Sequence, residues 1–142
     1  MTGVAKSEVD ELLDTFELLE EWEERYAYLI ELGAKLPPLP EEHRTDANKV
    51  QGCLSTVWLV PTLKGGKLDF VGDSDAAIVK GLVAVLITLF RGKTPEEALQ
   101  LDVDAIFTKM GLRQHLSSTR RNGLYAMVKR VKLFAADQIS AK

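Results

Sequence analysis

The sequence is poor in thiols and imidazoles. Its 142 residues include one cysteine, Cys53, and two histidines, His43 and His115. A lone cysteine excludes a disulfide within the chain and argues strongly against a cysteine-ligated zinc or iron–sulfur site. It also fits a reducing compartment. Long apolar runs are missing: the longest, Gly81 to Phe90, is too short to span a bilayer, so no membrane partner is expected. The opening MTGVAKSEVDELLDTFELLEEW has no basic start, no apolar centre and no Arg/Ser-rich transit pattern, which predicts a cytoplasmic protein. The basic residues have no interleaved aromatics and no nucleic-acid motif surrounds them, which argues against a nucleic-acid partner.

Hydrophobic residues make up 46% and charged residues 27%, the balance of a soluble globular chain, and the length fits one domain over residues 1–142. The net charge of −3 conceals a division. Residues 1–48 carry 13 acids against 4 bases, whereas residues 49–142 carry 14 bases against 8 acids. Such polarity can steer a partner, although solvated acidic helices account for much of it.

Ser7 is placed to cap a first helix reaching about Asp14. Leu18, Leu19, Trp22, Tyr26, Leu29 and Ile30 recur at helical spacing and predict a second helix over about 17–32, stopped by a left-handed Gly33. The proline-rich stretch 36–49 reads as an ordered surface connector. Alternation of Val57 and Leu59 with Trp58 and Val60, and of Leu68 and Phe70 with Asp69 and Val71, predicts strands over 54–63 and 67–72. Lys64-Gly65-Gly66 would turn them into an antiparallel hairpin. A buried central helix should follow, capped by Asp73 or Ser74 and closed by Arg91 and Gly92. Thr94, Pro95 and Glu97 mark the next helix start. A short helix over 103–110 ends at Gly111, and a last helix covers about 119–136. The fold class is therefore α+β, a small antiparallel sheet packed on one face by helices.

Cys53 stands in VQGCLSTVWLV, between a glycine and a strand. By residue type alone it reads as a small buried hydrophobe. Three neighbours raise the case for chemistry to an even one. Gly52 leaves room beside the sulfur, the loop–strand junction is where functional groups concentrate, and the nearby Lys49 can lower a thiol pKa. A cysteine hydrolase needs an oriented base, and neither His43, in the charged connector, nor His115, before a helix start, is placed to serve. A disulfide oxidoreductase normally needs a resolving cysteine. Transfer between proteins remains: a thiolate that accepts sulfur as a persulfide and surrenders it. A non-catalytic interaction module is the competing class; a cluster scaffold is disfavoured by the single cysteine.

Four blocks in order, FELLEEWEERYAYLIELGAKLPPLP, RTDANKVQGCLSTVWLV, GDSDAAIVKGLVAVL and GLRQHLSSTRRNGLYAMV, make residues 15–135 resemble the SufE family. The family consists of sulfur acceptors that partner cysteine desulfurases in iron–sulfur cluster assembly. The resemblance implies an α+β fold similar to the U-type (IscU-like) cluster scaffolds, with no resident cofactor or metal. It implies that a pyridoxal-phosphate cysteine desulfurase (SufS-like) passes sulfur to Cys53, which activates the desulfurase, and that the sulfur goes on to a scaffold complex (SufBCD-like). The alternatives are a regulatory partner of the desulfurase, or a CsdE-type paralogue serving another sulfur pathway. Either a monomer or a homodimer is compatible with this role. In the family the cysteine loop rests with its thiol in an apolar cavity and swings out to react. By the same resemblance, Gly52, Ser55, Asp73, Ser74 and Asp75 support the cysteine loop, and Arg120, Asn122 and Gly123 face the partner. Helix capping by the acids would serve equally well, and Trp58 reads as sheet core. Leu54 departs from the polar glutamine frequent at this position, which bears on partner choice.

Overall fold

The computed structural model describes residues 7–52 and 55–141. Helix α1 (Glu8–Leu18) starts at Ser7, whose hydroxyl accepts the Asp10 N–H at 3.1 Å, and runs a turn further than the sequence suggests. Helix α2 covers Trp22–Ala34. The expected helix over 17–32 is thus broken at Leu19–Glu21. The Glu24 carboxylate accepts the Glu21 N–H and starts α2 afresh, while Arg25 Nε donates to the Leu19 carbonyl at 2.7 Å and holds the reversed chain. Because of that corner, Leu18 leaves the apolar stripe and is 81% exposed; Ile30 is 42% exposed.

Gly33 does not stop α2. It lies inside the helix, without positive φ, and what it contributes is the absence of a side chain. A Cβ there would sit 2.7 Å from the Gly81 backbone nitrogen, and one on Gly81 would run into the Leu29 carbonyl. Two glycines face to face let α2 and α3 (Ala77–Phe90) pack backbone against backbone.

Strands β1 (Val57–Lys64) and β2 (Lys67–Ser74) form the antiparallel hairpin, with Lys64 opposite Lys67 and Val57 opposite Ser74. Gly65 and Gly66 both take positive φ, +59° and +79°, as a two-residue hairpin turn requires. Val57, Leu59, Leu68 and Phe70 face the core, and α3 packs against both strands. Trp58 is not sheet core. It stands half-buried on the opposite face, with the Arg44 guanidinium 5.0 Å above its ring.

Helix α3 is buried along most of its length, as its sequence requires. Its start corrects another expectation: β2 continues through Asp73 and Ser74, so neither caps the helix, and Ala76 precedes it with no side-chain cap. Helix α4 (Pro95–Gln100) carries the Thr94/Glu97 capping box, and α5 (Val103–Met110) ends at left-handed Gly111. A single-turn helix α6 (Leu112–His115) follows, and α7 (Ser118–Ser140) extends further than the pattern 119–136. Phe16, Leu29, Leu86, Phe90, Phe107 and Leu124 fill one core shared by α1, α2, α3, α5 and α7. Among the described residues no helix is long and apolar enough to cross a membrane.

Candidate functional site

Cys53 and Leu54 lie outside the described residues; the chain on either side of them is tied to the hairpin. The Val50 N–H donates to the Val57 carbonyl at 2.8 Å, and Lys49 forms an antiparallel bridge with Trp58. The chain before the cysteine therefore pairs back onto the strand after it. Gly52, exposed, takes a φ of +93°, which a residue with a Cβ adopts only under strain. Lys49 Nζ pairs with the Asp46 carboxylate at 3.2 Å.

Downstream, both backbone groups of Thr56 are held by the end of β2 and the residue after it. The buried Ser74 hydroxyl donates to the Thr56 carbonyl at 2.9 Å and accepts the Ala76 N–H. The Asp75 carboxylate accepts the Thr56 N–H at 3.1 Å, and the Asp75 N–H returns to the Thr56 carbonyl. Asp73 points the other way. Its carboxylate accepts Arg44 Nη2 at 2.7 Å, Lys80 Nζ at 3.3 Å and the Ser74 N–H at 2.8 Å. Burial pushes this carboxyl up, but hydrogen bonds from Arg44, Ser74 and Lys80 outweigh it and hold it below its ordinary value. Asp73 thus fastens the connector to the hairpin, while Ser74 and Asp75 fasten the chain just after the cysteine.

Ser55 lines a cavity of about 420 Å³ between α3 and α7. Val79 and Leu82 supply one wall and Leu124 and Met127 the other, with Arg120 and Gly123 also on its surface. The fold therefore gathers Ser55, Arg120 and Gly123, far apart in sequence, around one largely apolar recess. Asn122 is exposed and does not line it. On the other side of the cysteine segment, Val50 and Gln51 form the wall of a second recess, about 410 Å³, against Pro61, Ala126, Lys129 and Leu133. Sequence reasoning misses this groove; its only trace there is the spacing of Ala126, Lys129 and Leu133 along one side of α7. The histidines take no part in either recess. His115 stacks on Trp22 with ring centroids 4.2 Å apart, and His43 sits in a short turn whose carbonyl accepts from Asn48. Among the described residues no group of three His, Cys, Asp or Glu side chains is arranged to hold a metal ion.

A family model described as an Fe-S metabolism associated domain, SufE, matches residues 10–135. The chain belongs to the SufE family. Among relatives of this SufE-family chain, an uncharacterized SufE-like protein of Rhizobium meliloti (strain 1021) is 49% identical over 137 residues, 94% of this chain and 98% of that one. Another from Rhizobium etli is 50% identical over 128 residues, covering 87% and 86% of the two chains. The solution structure of a hypothetical protein from Thermus thermophilus superposes with a TM-score of 0.77, covering 94% of this chain and 96% of that one. Its identity is 24%, so the likeness speaks for the α+β fold alone. Membership associates the protein with iron–sulfur metabolism.

Proposed function

We propose that this SufE-family protein is a cytoplasmic sulfur acceptor and activator of a SufS-like cysteine desulfurase. It takes sulfane sulfur as a persulfide on Cys53 and passes it to a SufBCD-like iron–sulfur scaffold complex. The observation that carries the reading is the family match over residues 10–135, which includes the chain's only thiol. In the transfer, the Cys53 thiolate attacks the outer sulfur of the donor's persulfide. A sulfur–sulfur bond forms on Cys53, the donor's bond breaks, and the donor cysteine leaves as a thiolate. The sulfane sulfur keeps its oxidation level throughout, so no outside oxidant or reductant is required.

The surroundings suit such a carrier. The chain on either side of the cysteine is pinned to the hairpin, at Val50 with Val57 and at Thr56 with Ser74. The cavity beside Ser55 offers an apolar resting place for a sulfur atom, since low polarity disfavours the thiolate and keeps it unreactive. Ser74 and Asp75 act as loop supports while Asp73 serves the connector, and Arg120 and Asn122, both exposed, lie on the partner-facing surface with buried Gly123 lining the cavity beneath.

Incubation with a cognate desulfurase and L-cysteine, followed by mass spectrometry, tests the proposal. Cys53 should gain one sulfur atom that a reductant removes, and Cys53→Ser should unfold like the wild type yet no longer stimulate sulfide release. Stimulation undiminished in that variant would show instead a purely regulatory surface.

A further inference from the structure

Helix α7 has an unusual charge balance. From Arg120 to Lys132 it carries five cations, Arg120, Arg121, Lys129, Arg130 and Lys132, and its one acid is Asp137. Among the described residues none of the five forms an ion pair, although Lys and Arg side chains elsewhere pair with Asp or Glu seven times. Three are instead held by neutral carbonyls: Arg121 by Arg113, Arg130 by Leu59 and Ala47, and Lys132 by Leu101. A carbonyl fixes a cation in place without cancelling its charge, so the helix keeps a positive field with little freedom to relax.

Two of the five, Lys129 and Arg130, line the second recess. The groove is bordered by Val50 and Gln51, directly before the cysteine segment, and Leu133 stands on it 56% exposed with Lys129 beside it. Arg130 also lines it, and Asp137 does so further along α7. An apolar floor beside two cations that form no ion pair among the described residues, against the single acid Asp137, complements an acidic segment that also offers an apolar side chain. We propose that the groove between β1 and α7 seats such an acidic, apolar-tipped segment of the sulfur-donor protein, bringing it against the upstream flank of Cys53. The inference rests on the sulfur-acceptor reading for the identity of the donor, but not for the chemistry of the groove. Val50, Pro61, Ala126 and Leu133 make its floor mainly aliphatic, with Phe134 a lone aromatic among the lining residues, which favours a protein over a nucleic acid whose successive bases need several stacking surfaces.

The test uses the full chain and a cognate cysteine desulfurase, with binding rates measured by surface plasmon resonance at several salt concentrations. Lys129→Glu should slow association about tenfold and flatten its dependence on salt, and Leu133→Asp should speed dissociation about tenfold. Lys35→Glu, the same charge change on the acidic half, should leave both rates alone. A chemical sulfur donor such as inorganic polysulfide bypasses docking and should persulfidate Cys53 equally in all variants. Unchanged desulfurase binding in both groove variants overturns the proposal, as does a change only in self-association by sedimentation, or retention of duplex DNA by the groove. Groove-dependent binding without any sulfur on Cys53 would instead sink the acceptor reading and leave the docking surface standing.

Discussion

Helix α3 has two sides built on opposite plans. Toward α2, Gly81 meets Gly33 and the Leu29 carbonyl with no room for even a methyl group. Toward α7, Val79 and Leu82 open onto a cavity of about 420 Å³. The first side fixes a distance between two backbones and has no freedom left. The second leaves space beside the cysteine segment, at the cost of the dispersion contacts that a filled interior would make. The difference shows how one helix can lock one neighbour and leave a recess against another. Around α3, rigidity is concentrated where backbone meets backbone, and space is left where Val79 and Leu82 face Leu124 and Met127.

The largest effect should come from disturbing the rigid side. Gly81→Val places branched carbons in the space held by the Leu29 carbonyl, and backbone on both helices must move to admit them. Over-packing of this kind costs about 3 kcal/mol or more, a large part of the stability of an ordinary domain. Urea unfolding should show the midpoint collapse or the protein fail to accumulate folded. A midpoint within experimental error of wild type would mean that the two helices are not locked.

Much of this architecture is legible from residue types, because the signals are local. Gly65-Gly66 between alternating strands, the Thr94/Glu97 box, Gly111 and the apolar residues over most of the circumference of α3 each specify their element without help from elsewhere. The misreadings arise where the partner is distant. Apolar spacing runs on through Leu18 and Leu19, and nothing local shows that Arg25 will bind the Leu19 carbonyl and turn the chain. Gly33 resembles a helix stop until Gly81 is seen against it. Asp73 and Ser74 are residue types that cap helices, yet here they end a strand, and their side chains serve Arg44 and Thr56 instead. The site divides in the same way. Cys53 is conspicuous as the only thiol, and the family resemblance supplies Ser55, Arg120 and Gly123. The groove joins Pro61 to Ala126 and Leu133 only through the packing of β1 on α7, which no spacing reveals.

A smaller effect on stability, with a larger one on the thiol, is expected from Ser74→Ala. The hydroxyl is buried and links the Thr56 carbonyl to the Ala76 N–H. Its loss should cost about 1–2 kcal/mol, well short of Gly81→Val, because Asp75 still holds Thr56. The downstream anchor of the cysteine segment would nevertheless be weakened, so alkylation of Cys53 by a maleimide should quicken several-fold. An unchanged alkylation rate would separate the anchor from thiol exposure and leave Ser74 a purely structural residue.

The smallest effect, present at neutrality and lost in acid, belongs to Asp73, which fastens the connector and not the recess. Its carboxyl is held below its ordinary value of 3.8 in the folded protein, because the bonds from Arg44, Ser74 and Lys80 outweigh the penalty of burial. A depressed folded pKa means that the unfolded chain binds the proton first, so this contribution is complete above the unfolded value and is lost as pH falls through the folded one. Wild type and Asp73→Asn should therefore differ by a constant amount from neutrality down to about pH 5 and converge below about pH 4. Since Arg44 also covers Trp58, the same titration followed by tryptophan fluorescence should report the connector loosening in wild type before the core unfolds. Stability curves that stay parallel through the acid range would show that the Arg44–Asp73 contact carries no free energy, and would leave the connector held by buried Leu39, the Arg130 bond to the Ala47 carbonyl and the Lys49–Trp58 bridge.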